Sequence, residues 1–222
     1  MARLSYPAPG EPRPAALPPE RRTVGQLVAE SIRAYGDRFL PALALGVGPA
    51  LIAVATVHMS RTLWLVLAPT VVAAILSVSL TGASVIVLKH RPSWRRLAVA
   101  WACGWVVLAP LPFLVLVFVL PGLAWLAAVG LVVPVLVVED IAPRAALSRA
   151  WRLARADYVH ALGSLATLAI VVFLTQAVLA FLLRGVGGAA VWAAYVLASM
   201  VVSPLLFLGA ALLYVDQSAR VK

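Results

Sequence analysis

Long apolar runs separated by short polar segments make up most of this chain. The longest run, 97–138, contains no charged residue in 42 positions. As one helix it would be about 63 Å long, twice the ~30 Å thickness of the hydrocarbon core of a bilayer. We therefore expect this run to form two spans. The pattern predicts six transmembrane helices, at about 39–58, 63–88, 97–119, 122–138, 161–183 and 189–214.

Prolines and glycines predict where these helices turn or bend. Pro121-Gly122 is the preferred position for the turn between the third and fourth spans, and Pro110 with Pro112 offers a rival break. In the first span, the helix should bend at Pro41, Gly46, Gly48 and Pro49.

The polar segments before the first span predict a tail and a surface helix. Residues 1–22 are rich in Pro and Arg, which is typical of a disordered tail. They lack the apolar core of a signal peptide, so we expect the first span to remain uncleaved. Thr23 and Gln26 have the spacing of a capping box, and apolar residues recur at helical spacing up to Phe39. This predicts an amphipathic helix in the headgroup region.

A second amphipathic helix is predicted over 144–158, between the fourth and fifth spans. Pro143 suits its first turn, and Asp140 or a neighbour is expected to cap it. Projected at 100° per residue, Arg144, Arg152 and Arg155 gather on one side, with Arg149 farther round. Ala146, Leu147 and Trp151 fall on the opposite side. Such a helix is expected at the inner leaflet, with its apolar side in the membrane. The fold class is therefore all-α: a polytopic bundle of six membrane helices with short interfacial helices.

The distribution of basic residues predicts how the chain is threaded. All but two of the 18 Lys and Arg residues fall in the two tails and in the loops after the second and fourth spans. The other two, Arg61 and Arg184, fall in the alternate loops. Excess Lys and Arg marks cytoplasmic loops, so both chain ends are expected in the cytoplasm. Because Arg far outnumbers Lys, we expect a bacterial inner-membrane protein encoded by a GC-rich genome.

Composition excludes a soluble globule. The chain is 64% hydrophobic and 12% charged, with a mean hydropathy of +1.02, whereas soluble domains are about 45–50% apolar and about 25% charged. The net charge of +10 lies in short loops between apolar runs rather than on one soluble face. This pattern indicates membrane topology and predicts no nucleic-acid partner.

The chemistry available in this chain is sparse. Cys103 is the only cysteine, which excludes an intrachain disulfide. No nucleophile, phosphate-binding or metal-ligand motif stands out, so we expect neither enzymatic activity nor a cofactor. No Asp, Glu, Lys or Arg lies in the middle of a span, which argues against an ion-coupled transporter. Polar residues within spans are expected to make hydrogen bonds between helices or back to the i−4 carbonyl of their own helix. Examples are Ser77, Thr81, Ser84 and Gln176.

The basic loops give the most concrete functional hint. Each cation near the cytoplasmic surface attracts anionic headgroups by roughly 1 kcal/mol. We therefore expect membrane lipids as partners, and an unidentified protein partner stays open. The alternative is a small permease or channel that uses the broken helices. The candidate contacts for anionic lipid are Lys89, Arg91, Arg95, Arg96, Arg144, Arg149, Arg152 and Arg155.

Three stretches resemble a known family. Pro134-Val-Leu-Val-Val-Glu139 is followed by Ala146-Leu-Ser-Arg-Ala-Trp-Arg-Leu-Ala-Arg155, and the chain closes with Tyr214-Val-Asp216. These stretches and the 23–39 helix resemble the membrane domain that is fused to some bacterial glycerophosphoryl diester phosphodiesterases and that also occurs alone.

Two positions depart from that family's pattern, since Ala150 and Ala156 stand where it has Ser and Gly. The resemblance covers about 23–218 and implies a six-span membrane bundle of unknown function. It does not imply phosphodiesterase activity, which belongs to a separate soluble barrel for which these residues leave no room.

Overall fold

The computed structural model describes residues 18–221, and within this range the chain is helical and contains no strand. A 3₁₀ turn, Pro19–Arg21, precedes the first α-helix, and a π-helical stretch, Ala68–Val72, joins α4 to α5. The predicted all-α fold class is confirmed. The α-helices are α1 (Val24–Asp37), α2 (Phe39–Ala44), α3 (Val47–His58), α4 (Arg61–Leu67), α5 (Ala73–Leu88), α6 (Trp94–Leu108), α7 (Leu111–Val117), α8 (Val119–Val129), α9 (Val132–Val138), α10 (Pro143–Ala156), α11 (Tyr158–Leu183) and α12 (Gly188–Arg220).

Six helical segments in the described part of the chain are long and apolar enough to cross a membrane. The first four each combine two or more short helices, whereas α11 and α12 are continuous. The chain is therefore a multi-pass membrane protein. The six segments are Phe39–Thr56, Thr62–Leu88, Trp94–Val115, Val119–Val138, Tyr158–Leu183 and Gly188–Arg220.

Breaks within the first two spans occur at proline and glycine, as expected. The predicted bend in the first span is confirmed, because α2 ends at Ala44 and α3 begins after Gly46. The second span contains Pro69 in its π-helical stretch. Proline cannot donate a hydrogen bond to the preceding turn, so the helix widens locally instead of continuing regularly.

The turn between the third and fourth spans lies earlier than predicted. Phe118 is extended, with φ −157° and ψ 147°, and it separates α7 from α8. Pro121 and Gly122 are helical residues of α8. Proline is tolerated in a first turn because its missing N–H would have no intrahelical acceptor there. The rival break is real but smaller, since Pro110 lies between α6 and α7 within the third span.

At both ends of the described chain, regular structure extends further than predicted. Residues 1–17 of the predicted disordered tail lie outside the described residues, but Pro19–Arg21 form an ordered turn and Arg22 makes an ion pair. The sixth helix was expected to end near 214, yet α12 continues to Arg220. Asp216 is fully buried in this extension. Local composition could not reveal that these charged residues have partners.

The fourth span forms the centre of the bundle. Every residue from 132 to 137 in α9 is buried, and α9 packs against α5, α6, α10 and α12. The long α12 packs against α1, α3, α5 and α11. The fifth span is the most exposed of the six, and its outward side chains, such as Phe173 and Phe181, are apolar. Such a surface requires hydrocarbon around it.

The predicted polar residues make hydrogen bonds both between spans and within their own helix. The Ser77 hydroxyl donates to the Trp101 carbonyl at 2.7 Å, and the Gln176 amide donates to the Ser199 hydroxyl at 3.0 Å. Ser84 donates instead to a carbonyl one turn back in its own helix. Thr81 is buried, and its hydroxyl makes no hydrogen bond within the described chain. Small hydroxyl side chains thus allow close approach of α5 and α6.

Gly46 should be essential for packing of the first span against α12. A Cβ atom at this position would overlap the Met200 backbone carbonyl. Because backbone cannot move aside cheaply, Gly46→Ala should lower stability by about 1–3 kcal/mol. Gly163→Ala is the matched control, since its Cβ would meet Val24 at an ordinary 3.7 Å. Thermal unfolding in detergent should show a fall of several degrees for Gly46→Ala only; equal midpoints would contradict this packing.

Candidate functional site

The polar segments meet at one end of the bundle, which we call the polar end. Asp216 near the end of α12 pairs with Arg22 before α1, and Arg220 pairs with Asp157 at the start of α11. Arg96, after the second span, pairs with Asp140, after the fourth. Glu139 contacts both Tyr214 and Arg149, and these two contacts connect the paired segments. The described chain therefore begins and ends on the same side.

Glu139 is a hub between three segments. Its Oε1 accepts from the Tyr214 hydroxyl at 3.1 Å and from Arg149 Nε at 3.4 Å. Glu139 lies at the C-terminus of α9, Arg149 in α10 and Tyr214 in α12. The amphipathic helix is thereby joined to the central and the last spans.

A second group, the buried polar cluster, lies beside α12. Arg22 Nη1 is 2.6 Å from Asp216 Oδ1, with the two side chains 10% and 0% exposed. His160 Nε2 lies 3.8 Å from the other carboxylate oxygen of Asp216. The Asp216 carboxylate thus faces one guanidinium and one imidazole away from water. The buried polar cluster comprises Arg22, Asp157, His160, Asp216, Gln217 and Arg220.

Three further hydrogen bonds close this cluster. The Gln217 amide donates to the Asp157 carbonyl at 3.0 Å, and Arg220 Nη2 donates to the Arg22 carbonyl at 3.3 Å. The Asp157 carboxylate also accepts from the His160 backbone N–H at 3.0 Å and so caps α11. Charged groups taken out of water are stable only when paired in this way.

Sequence reasoning missed this cluster because it assigned Arg22, Asp157 and Asp216 to solvated segments. The available signal was that every acidic residue falls in the segments that carry the excess arginine. The predicted cap was also wrong: α10 has Ala142 at its N-cap without a side-chain hydrogen bond, and Asp140 pairs with Arg96 instead. A nearby guanidinium outcompeted the backbone N–H groups for this carboxylate.

The eight predicted lipid contacts divide into two groups. Arg96 and Arg149 are half-buried and neutralised by carboxylates. The other six are exposed at the polar end, and we call them the basic rim. The basic rim comprises Lys89, Arg91, Arg95, Arg144, Arg152 and Arg155.

The amphipathic helix α10 presents a basic side, a buried apolar side and an exposed apolar side. Ala146, Ala150 and Leu153 are buried against the bundle. Leu147 and Trp151, also on the predicted apolar side, are exposed. The apolar side therefore contacts protein through its small residues, and the larger ones are available to lipid.

Exposed tryptophans lie next to arginines of the basic rim. The Arg155 guanidinium is 4.8 Å from the centre of the Trp151 ring. Arg95 is 6.0 Å from the ring of Trp94, which is 74% exposed. Tryptophan favours the membrane–water interface, where long basic side chains also place their charged groups. This arrangement can bind anionic headgroups by charge and hydrogen bonding.

The site residues offer no set of metal ligands. Among residues 18–221, no group of three or more His, Cys, Asp or Glu side chains is placed to hold a metal ion. The acidic side chains at the polar end bind arginines instead.

No protein-family model, curated protein or solved structure matches this chain. The fold and the polar end therefore define its class by themselves: a six-span helical membrane protein with its charged groups gathered at one end.

The pair of Asp216 with Arg22 should be the most sensitive electrostatic contact. Asp216→Asn leaves the Arg22 guanidinium buried without a countercharge. We expect this to lower the free energy of unfolding by about 3–5 kcal/mol. Asp140→Asn is the matched control, because that carboxylate is 89% exposed in its own arginine pair. This substitution should lower the free energy of unfolding by only ~0–1 kcal/mol. Unfolding midpoints of both variants in the same detergent measure the difference.

A double variant, Arg22→Gln with Asp216→Asn, tests the pairing itself. It should recover part of the stability lost in Asp216→Asn, because no buried charge is left alone. Losses that simply add would show that the two side chains act independently.

Proposed function

We propose that this chain is a non-enzymatic protein of the bacterial inner membrane, with both ends in the cytoplasm, that binds anionic lipid headgroups through the basic rim. One observation carries the proposal. After acidic partners have neutralised Arg96 and Arg149, six further cations lie exposed around one end of the bundle, two of them beside exposed tryptophans.

Charge balance at the polar end supports lipid binding. The carboxylates of Glu139, Asp157 and Asp216 are engaged by arginines or tyrosine of the protein itself. They therefore do little to screen the exposed cations from an anionic surface. Six cations at ~1 kcal/mol each would give a strong combined attraction at low ionic strength.

The packing of α9 favours this proposal over the permease alternative. Aliphatic side chains from 132 to 137 fill the centre of the bundle, where a permeation path would have to run. The resemblance to the phosphodiesterase-associated membrane domain agrees with a membrane role that needs no catalytic residues. Two residues that carry it, Arg149 and Tyr214, each contact a third, Glu139, and these contacts hold helices together.

Removing cations from the basic rim should weaken binding of anionic lipid. For the triple variant Arg91→Gln, Arg152→Gln and Arg155→Gln, we expect fewer phosphatidylglycerol molecules to co-purify, with affinity falling about fivefold per charge removed. The measurement is the ratio of phosphatidylglycerol to phosphatidylcholine retained from an equimolar nanodisc.

The same three positions changed to Lys form the control. These substitutions keep the charge, so the retained ratio should stay near that of the unmodified protein. An unchanged ratio in the Gln variant would refute lipid binding by the basic rim. Protein-dependent solute flux into vesicles, absent from empty vesicles, would favour the permease instead.

The threading can be tested separately with reporters fused to each end. Alkaline phosphatase is active outside the cytoplasm and a fluorescent protein folds inside it. We expect both ends to give cytoplasmic signals because the excess Lys and Arg lies on that side. A fusion after Arg184 should give the opposite signal, and two ends in different compartments would refute the six-span threading.

A further inference from the structure

Two neighbouring depressions lie along α6 at the polar end. The first, about 290 Å³, is lined by polar groups that include Arg95, Arg96 and Asp140. The second, about 370 Å³, is apolar and is lined by Cys103 and Val106, among others. Pro143 borders both. Small-molecule sites typically occupy about 300–1,000 Å³, so the two depressions together offer space for a lipid-sized ligand.

The helix geometry makes these depressions parts of one groove. On α6, Val99 lines the first and Cys103 the second, four residues apart and therefore on the same helix face. On α9, Leu136 and Val132 have the same relation. The groove thus runs between these two helices from the polar end toward the membrane interior.

The charges of this groove suit an anion with an apolar tail. Three arginines and one aspartate line it, and Asp140 already pairs with Arg96. The two positive charges of Arg95 and Arg144 then remain. Among the described residues, Arg144 alone brings a charge to the apolar part. A cation beside hydrocarbon is costly unless an anion or the interface neutralises it.

We propose that this groove holds one anionic phospholipid, with its phosphate bound by Arg95 and Arg144 and an acyl chain lying against Cys103 and Val106. This inference rests on the proposed function and deepens it, because it names one binding position within a general lipid-binding surface. The phosphate accepts charge-assisted hydrogen bonds from the two guanidinium groups. The chain replaces bulk lipid along an apolar wall of the bundle.

A second apolar depression on the same helix provides the contrast. It is larger, about 670 Å³, and is lined by Leu45, Val78, Leu97 and Ala98 among others, but by no charged residue. An acyl chain there has no headgroup partner from the protein and should exchange with bulk lipid. The arginines therefore distinguish the proposed groove from an ordinary lipid-facing crevice.

The test is native mass spectrometry of the full chain released from nanodiscs of equimolar dioleoyl phosphatidylglycerol, phosphatidylethanolamine and phosphatidylcholine. We expect one phosphatidylglycerol molecule to stay bound. Arg144→Gln should lower its occupancy at least fivefold by removing the phosphate partner. Ala102→Trp should do the same by filling the groove, since Ala102 is an exposed residue of its lining.

Ala98→Trp is the matched control for Ala102→Trp. Ala98 is also exposed, lies one turn earlier on α6 and lines the charge-free depression. It should keep the bound phosphatidylglycerol. A monodisperse elution profile and an unchanged melting midpoint will establish that each variant is folded. Retention by Ala102→Trp, or equal retention of the three lipids by the unmodified protein, would overturn the proposal.

The groove proposal and the proposed function can fail independently, and the two experiments distinguish these outcomes. If the rim triple variant keeps its phosphatidylglycerol enrichment while the single bound lipid is present and depends on Arg144, the groove stands and lipid binding by the rim outside the groove does not. If enrichment depends on the rim but no single lipid survives release, the groove proposal fails alone.

Discussion

Charged side chains in a membrane protein are stable only where the hydrocarbon ends, and this constraint organises the whole polar end. Within residues 18–221, the acidic and most of the basic residues lie there, and those that packing removes from water have to be neutralised. Arg22 with Asp216, and Arg220 with Asp157, do this around the last helix. Glu139 does it between α9, α10 and α12. The helix packing at this end therefore depends on arginine–carboxylate pairs as much as on apolar contact.

The number of spans could be predicted because hydrocarbon thickness sets a simple length rule. A charge-free run of 42 residues has to cross twice, and it does so as α6 to α9. The position of the turn could not be predicted equally well. The sequence favoured a turn at Pro121-Gly122, but the turn lies at Phe118. Proline misled the prediction because it also fits the first turn of the following helix.

The candidate site was predictable in part. Lys and Arg in loops predict the side of the membrane and the exposed rim, and that inference needs no knowledge of contacts. Which arginines are neutralised depends on contacts between residues that are far apart in sequence. Arg22 and Asp216 are separated by 194 positions, so no local pattern could join them. The same limit hid the groove, because its lining comes from α6, α9 and α10.

The pairing of Arg22 with Asp216 also bears on how the protein is made. The arginine is synthesised before the first span and the aspartate after almost all of the last one. Translation must therefore deliver α12 to the membrane before the guanidinium meets its carboxylate. Until then, the Arg22 guanidinium lacks the carboxylate with which it pairs in the complete fold. Closure of this ring of contacts is thus a natural final step of biogenesis, and a chain stalled before α12 would present quality-control proteases with an unfinished surface.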